Sequence, residues 1–173
     1  MPSPRNRSRY AAAAMAAMII SSAPAAAAVK IVALGASNTA GWGVGEANAY
    51  PAQLQAMLKA KGYDVQVANA GRSFDTTGGM LGRLDDVVPA GTAIVVVQPG
   101  GNDTRFLGTK KQRADNLATI EHKLHARGIK VIVFENTVVP SGLYQWDGIH
   151  FTKEGHKAAA SYLTQRILPL IGH

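Results

Sequence analysis

The 173-residue chain contains no cysteine. That excludes disulfide stapling and thiol catalysis together, so stability has to come from packing. No internal repeat, linker or low-complexity tract follows residue 28, which leaves one domain long enough for a real core. The formal charge is +7, yet the basic residues are scattered and lack the interleaved aromatics of a nucleic-acid surface. The one basic cluster is Lys110, Lys111 and Arg113. It reads as a solvated helix start that also suits weak contact with an anionic membrane surface. The apolar stretch 11–20 is mostly alanine with Pro24 close behind, so it makes a poor membrane-spanning helix.

What the N-terminus does carry is ordered. Arg5, Arg7 and Arg9 precede the Ala-rich stretch, and Ser21, Ser22, Pro24 and an Ala-x-Ala ending at Ala28 follow it. A basic region, an apolar region and a small-residue cleavage site are the parts of a secretory signal peptide. Residues 1–28 are accordingly expected to be removed on export, leaving a domain at 29–173 of about 145 residues. The arginines are not adjacent, so the twin-arginine route has no support. Without those three arginines, 15 of the 18 basic residues face 11 acidic ones, a net +4.

From residue 29 onward, strand and helix signals alternate. An apolar run at 31–34 ends abruptly in Gly35, and a small-residue loop follows. Pro51 opens a helix over 50–61, with Leu54, Met57 and Leu58 at helical spacing. A second strand is expected at 65–69, and a short helix capped by Thr76 or Thr77 should carry Met80, Leu81 and Leu84. The continuous apolar run within 92–98 fits a strand buried on both faces. A helix over 110–127, a fourth strand over 130–135 and a last helix over 158–168 complete the pattern. This alternation predicts a three-layer αβα fold on a short parallel sheet of four to five strands. Parallel strands gather their outgoing loops along one edge, so Ser37, Gly71 and Asn102 can meet in space.

The chemistry concentrates in those loops. Asp147 and His150 are three residues apart, close enough for the carboxylate to accept the imidazole N–H and leave the other ring nitrogen as a base. Serine is a poor nucleophile until such a base removes its proton. Backbone N–H groups at Ser37 and Gly71 and the Asn102 amide are candidate donors to a tetrahedral oxyanion. His156 is the rival base. Trp42 and Trp146 flank the two loops, as substrate walls or as core. Asp75 is expected to order its loop. His122 and His125 share a helix face at metal-binding spacing, but no third ligand is evident nearby. The Gly-rich 41–45 loop is not the dinucleotide fingerprint, and no Lys-Ser or Lys-Thr pair follows it.

Four blocks in order carry a resemblance: Gly35-Ala36-Ser37-Asn38; Asn69-Ala70-Gly71 followed by Asp75-Thr76-Thr77; Gly100-Gly101-Asn102-Asp103; and Asp147-Gly148-Ile149-His150. Together they resemble the SGNH hydrolases, also called GDSL esterases and lipases, in the branch of bacterial arylesterases and of thioesterase/lysophospholipases. The resemblance implies a flavodoxin-like fold and a serine esterase of small-molecule or lipid-like esters that needs no metal or organic cofactor. It implies Ser37 as nucleophile, Asp147 and His150 as its partners, and Ser37, Gly71 and Asn102 as the oxyanion hole. Two departures stand out. The family's usual Asp before the nucleophile is Ala36 here, and only about a dozen residues separate the fourth strand from Asp147. The second implies four core strands and a thin cleft wall. Either departure also fits a binding protein that has lost turnover.

Overall fold

The computed structural model describes residues 27–172. Four strands, β1 (Val29–Gly35), β2 (Val65–Gly71), β3 (Thr92–Gln98) and β4 (Lys130–Val133), form one sheet in the order β2-β1-β3-β4. All neighbours pair in parallel. The expected four-stranded αβα fold is therefore the observed one, and the residues between β4 and Asp147 form two short 3-10 turns in place of a fifth strand.

The strands alternate their side chains between two cores, as a pleat requires. Ile31 and Ala33 of β1 and Ile94 and Val96 of β3 face one helical layer. That layer is α2 (Tyr50–Ala60) and the long C-terminal helix (Lys153–Ile171). Val32, Leu34, Val95 and Val97 face the other layer, where Met80, Leu84, Ile120 and Leu124 pack. Those four come from α3 (Thr77–Gly82), α4 (Leu84–Val87) and α5 (Lys110–Ala126). A fully buried Leu, Ile or Val side chain contributes roughly 1.5–3 kcal/mol, so β1 and β3, buried on both faces, anchor the domain.

Local signals set the helix ends. Thr76 caps α3 by accepting the Gly79 N–H, and Thr109 with Gln112 forms a capping box at the start of α5. The C-terminal helix departs from expectation at both ends. It begins at Lys153, where Thr152 accepts the Gly155 N–H, and it continues past Pro169. Gly155, a weak helix former, is tolerated because a Cβ there would collide with the Leu143 carbonyl oxygen. The helix can press close to the 143 turn only with glycine at that point. Pro169 lies in the final turn, where few helical bonds remain to be lost.

A one-turn helix, α1 (Ser37–Ala40), follows β1, and the C-terminal helix is α6 in chain order. From β1 the chain passes to β2 on one side and then to β3 on the other. The outgoing loops of β1 and β3 thus diverge at a topological switch point, where an open α/β sheet leaves a crevice. Ser37 and Asn102 stand on those two loops.

Candidate active site

Ser37 stands two residues beyond the end of β1, and the sharp turn into α1 exposes its hydroxyl. His150 Nε2 lies 2.9 Å from Ser37 Oγ, and His150 Nδ1 lies 2.5 Å from Asp147 Oδ2. An ionised carboxylate only accepts, so Nδ1 carries the proton and Nε2 accepts from the serine hydroxyl. Asp147 Oδ1 also accepts the Ile149 and His150 N–H groups, at 2.8 and 3.0 Å. Burial acts to raise the Asp147 pKa. The hydrogen bonds from His150 and Ile149 and the nearby imidazole charge outweigh it and hold the carboxyl at about 2. The Asp147–His150 segment is a turn that lies just before the C-terminal helix, which begins at Lys153.

Asn38 fastens this turn to the serine loop. Its side-chain oxygen accepts the Phe151 N–H at 2.9 Å, and its amide donates to the Ile149 carbonyl at 3.1 Å. His150 is thus gripped on both flanks by the residue next to the serine. Trp42 stacks on the imidazole, with centroids 5.6 Å apart and planes at 28°. Of the two tryptophans, Trp42 is a cleft wall, whereas Trp146 is 97% exposed and belongs neither to the cleft lining nor to the core.

The opposite side is built by the loops after β2 and β3. Asp75 is buried and paired with Arg83 at 2.8 Å, while Arg83 donates to the Ala70 carbonyl at 2.7 Å and to the Gly35 carbonyl at 3.3 Å. One guanidinium therefore ties together the ends of β1 and β2. Asn102 Nδ2 donates to the Asp75 carbonyl at 2.8 Å, which orients the amide and leaves its second hydrogen for the cleft. Asp103 accepts both the Thr77 N–H and its hydroxyl, locking the β3 loop to α3.

Gly71 does not join this group. Its N–H is donated to the Asn69 side chain at 2.9 Å, it pairs with Gly35 across the sheet, and it does not line the cleft. A Cβ at Gly71 would run into the backbone of Thr39 and Ala40, so glycine is needed there for close approach of α1. The Ser73 and Phe74 N–H groups, in contrast, belong to cleft-lining residues and have no partner among the described residues. Phe74 is the one non-glycine among the described residues with positive φ, at 63°. A left-handed backbone costs a bulky residue roughly 1–2 kcal/mol. Nothing in the sequence signals a glycine-like conformation at a phenylalanine.

His156 is set apart from the chemistry. It is fully buried in α6, its Nδ1 accepts the Tyr50 N–H at 3.1 Å, and its Nε2 is buried without a partner. Burial, with a smaller repulsion from His150, pushes its pKa down to about 4. With one nitrogen occupied and the ring enclosed, it is no rival to His150. His122 and His125 lie on α5, and among the described residues no three His, Cys, Asp or Glu side chains converge on a metal-sized space.

The resulting cleft, of about 150 Å³, is lined by Ser37, Trp42, Phe74, Asn102, Phe106 and His150 among others. A wider, open trough of about 620 Å³ adjoins it, and Arg105 and Ile149 line both. The trough runs along residues 136–148, the segment too short for another strand.

The sequence profile of the GDSL-like lipase/acylhydrolase family matches residues 33–146. The chain belongs to that family. The match covers the Ser37 and Asn102 loops but stops before Asp147, so the proximity of Asp147 and His150 to Ser37 is an independent structural observation. The chain is 35% identical over 117 residues to the esterase TesA of Pseudomonas aeruginosa, covering 67% of this chain and 58% of that protein. It is 31% identical over 121 residues to an arylesterase of Vibrio mimicus, covering 69% and 60%. The chain thus matches about three-fifths of the length of these curated relatives. Among solved structures, that of TesA superposes with a TM-score of 0.74 at 26% identity, covering 82% of this chain and 99% of that one. AlinE4, an SGNH-hydrolase family esterase, gives 0.59 at 26% identity, covering 82% and 74%.

Proposed function

We propose that this chain is an exported serine esterase that hydrolyses acyl esters or thioesters. The observation that carries the reading is the unbroken relay Asp147–His150–Ser37, which opens into a cleft with amide donors on its far side. Ser37 Oγ attacks the acyl carbonyl carbon while its proton passes to His150 Nε2. Asp147 holds the imidazole in the accepting tautomer and stabilises the imidazolium that forms. Negative charge on the carbonyl oxygen is met by the Ser37 N–H and the Asn102 amide. A third donor comes from the free N–H groups at 73 and 74 in place of Gly71. His150 then gives its proton to the departing alcohol or thiol, and an acyl-serine remains. Water repeats the sequence in reverse, losing a proton to His150 and releasing the carboxylic acid. Neither a metal nor an organic cofactor has a role in these steps. Ala36 does not weigh against turnover, because none of the steps uses a side chain at that position.

Export is the reading that the basic, apolar and Ala-x-Ala order of residues 1–28 supports. Residues 1–26 of this leader lie outside the described residues.

The test is p-nitrophenyl ester hydrolysis, from acetate to palmitate, by residues 29–173 with Ser37→Ala alongside. Serine-dependent turnover and labelling by a fluorophosphonate are expected. Folded protein that neither turns over any ester nor takes the label would instead be a binding protein on this fold.

A further inference from the structure

Phe74 joins properties that do not ordinarily occur together. Its backbone is left-handed, its ring is 72% exposed, and that ring meets the edge of Trp42 at 6.0 Å and 76°. A left-handed φ favours glycine, and an aromatic ring in water gains little from the hydrophobic effect. Neither the backbone nor core packing therefore accounts for a phenylalanine at this position. Strained backbone of this kind persists where it serves a site. What the ring supplies is apolar surface at the mouth of the cleft. Because Trp42 stacks on His150, the rings of Phe74, Trp42 and His150 form one wall that runs from solvent to the base. Phe106, 70% exposed, lines the same cavity. The adjoining trough differs in degree: it is wider, and Asn136, Thr137 and Ser141 interrupt a lining that is otherwise largely apolar, with Val139, Pro140 and Tyr144.

We propose that Phe74 determines substrate specificity, its ring and Trp42 forming the subsite for an unbranched acyl chain of medium length. The leaving alcohol or thiol then departs through the trough. This rests on the esterase reading above and names the substrate class for that site. The small, ring-walled cavity suits a flexible saturated chain, and the wider trough, which adds the Asn136, Thr137 and Ser141 side chains, has room for the leaving half. A glycine at 74 would keep the backbone N–H and remove only the wall.

The experiment compares p-nitrophenyl acetate with p-nitrophenyl octanoate for the natural protein, Phe74→Gly and Phe74→Leu. The natural protein should favour octanoate. Phe74→Gly should lower the octanoate-to-acetate ratio of kcat/KM about tenfold, chiefly through KM for octanoate, the loss expected for a few exposed methylenes. Phe74→Leu, still apolar, should retain most of the preference. The Tm of Phe74→Gly should stay close to or above that of the natural protein, because relief of the left-handed strain offsets the added freedom of the unfolded chain. An unchanged ratio in folded Phe74→Gly overturns the proposal. A second readout does not depend on turnover. In a Ser37→Ala, Trp146→Phe background, Trp42 reports octanoate binding by its fluorescence. About tenfold weaker binding after Phe74→Gly supports the subsite, whereas equal affinity or no response to octanoate overturns it. Octanoate binding without turnover of any ester by the natural protein would remove the esterase reading and keep the subsite.

Discussion

The two sides of the cleft differ in what they leave open. On the Asp147–His150 side, each group is tied by hydrogen bonds that cross more than a hundred residues of sequence or close a tight local turn: Asn38 to Ile149 and Phe151, Asp147 to Ile149 and His150. On the other side, Asp75–Arg83, Asn102–Asp75 and Asp103–Thr77 contacts fix the two loops, but the loop after β2 keeps unpartnered N–H groups at Ser73 and Phe74, and the rings of Phe74 and of Phe106, on the loop after β3, face solvent. The first side is fully organised before a substrate arrives. The second offers donors and apolar surface that only a substrate can satisfy. In the proposed reaction, proton transfer tolerates little misplacement, whereas acyl recognition gains from an open wall, so the division would match the two tasks.

The largest effects should come from breaking the tied side at its centre. Ser37→Ala or His150→Ala should each lower kcat by at least about 10³-fold, measured on a short ester. Asp147→Asn keeps the shape and one oxygen for the Ile149 and His150 N–H groups but sets an NH2 against Nδ1, which favours the wrong tautomer, and should cost about as much. Activity within tenfold of the natural protein in any of the three would mean that the relay is not the machinery. On the open side, Asn102→Ala removes one side-chain donor and should lower kcat by about 10²–10³-fold with KM little changed. Gly71→Ala is a contrasting variant. It should lose stability through collision with α1, which thermal melting would detect, instead of leaving a folded enzyme with a slow chemical step.

The same contrast explains what could be read from the sequence. The continuous apolar runs of β1 and β3 announce strands buried on both faces, and the short 136–146 stretch announces the missing fifth strand. Ser37, Asn102, Asp147 and His150 are legible because their types and order are distinctive. Gly71 misleads because glycine reads as a flexible donor, while its actual work is steric and its N–H is taken by Asn69 two residues before. Phe74 is invisible for the converse reason: its left-handed φ depends on tertiary context, and propensity disfavours it. The start of α6 was within reach, since Thr152 is a good N-cap, but Gly155 in the first turn obscures it. Asn38 stands in the first motif block, but its positioning contacts give no signal, because its two partners lie 111 and 113 residues away.

Acid should loosen the tied side from beneath. His156 packs against Tyr50, which hydrogen-bonds Thr39 of α1 at 3.0 Å. Its folded pKa of about 4 lies below the ordinary 6.5, so between those values the unfolded chain binds a proton that the folded chain does not. Stability is therefore lost as pH falls from about 6.5 to about 4, by up to roughly 3 kcal/mol from this group alone. Urea melts at pH 7, 5.5 and 4.5 should show that loss, and His156→Gln should flatten the slope across the window. A slope unaltered by the substitution would assign the acid sensitivity elsewhere.

The smallest expected effect is the sharpest probe of the tied side. Asn38 touches no reacting atom in the proposed chemistry and acts only by holding the backbone on either side of His150. Asn38→Leu keeps the branched shape but leaves the buried Phe151 N–H and the part-buried Ile149 carbonyl without their partner. Two lost hydrogen bonds at about 1 kcal/mol each, shared between fold stability and imidazole placement, give roughly a tenfold fall in kcat. KM for short esters should hardly move, because the acyl wall and the Asn102 amide are untouched. Asn38→Asp separates placement from bulk. One carboxylate oxygen can still accept the Phe151 N–H, but the other faces the Ile149 carbonyl with no hydrogen to donate, so its kcat should also fall. If Asn38→Leu turns over short esters as fast as the natural protein, then Asp147 and the Trp42 stack suffice to place the imidazole. The tied side would then be tied more often than its chemistry requires.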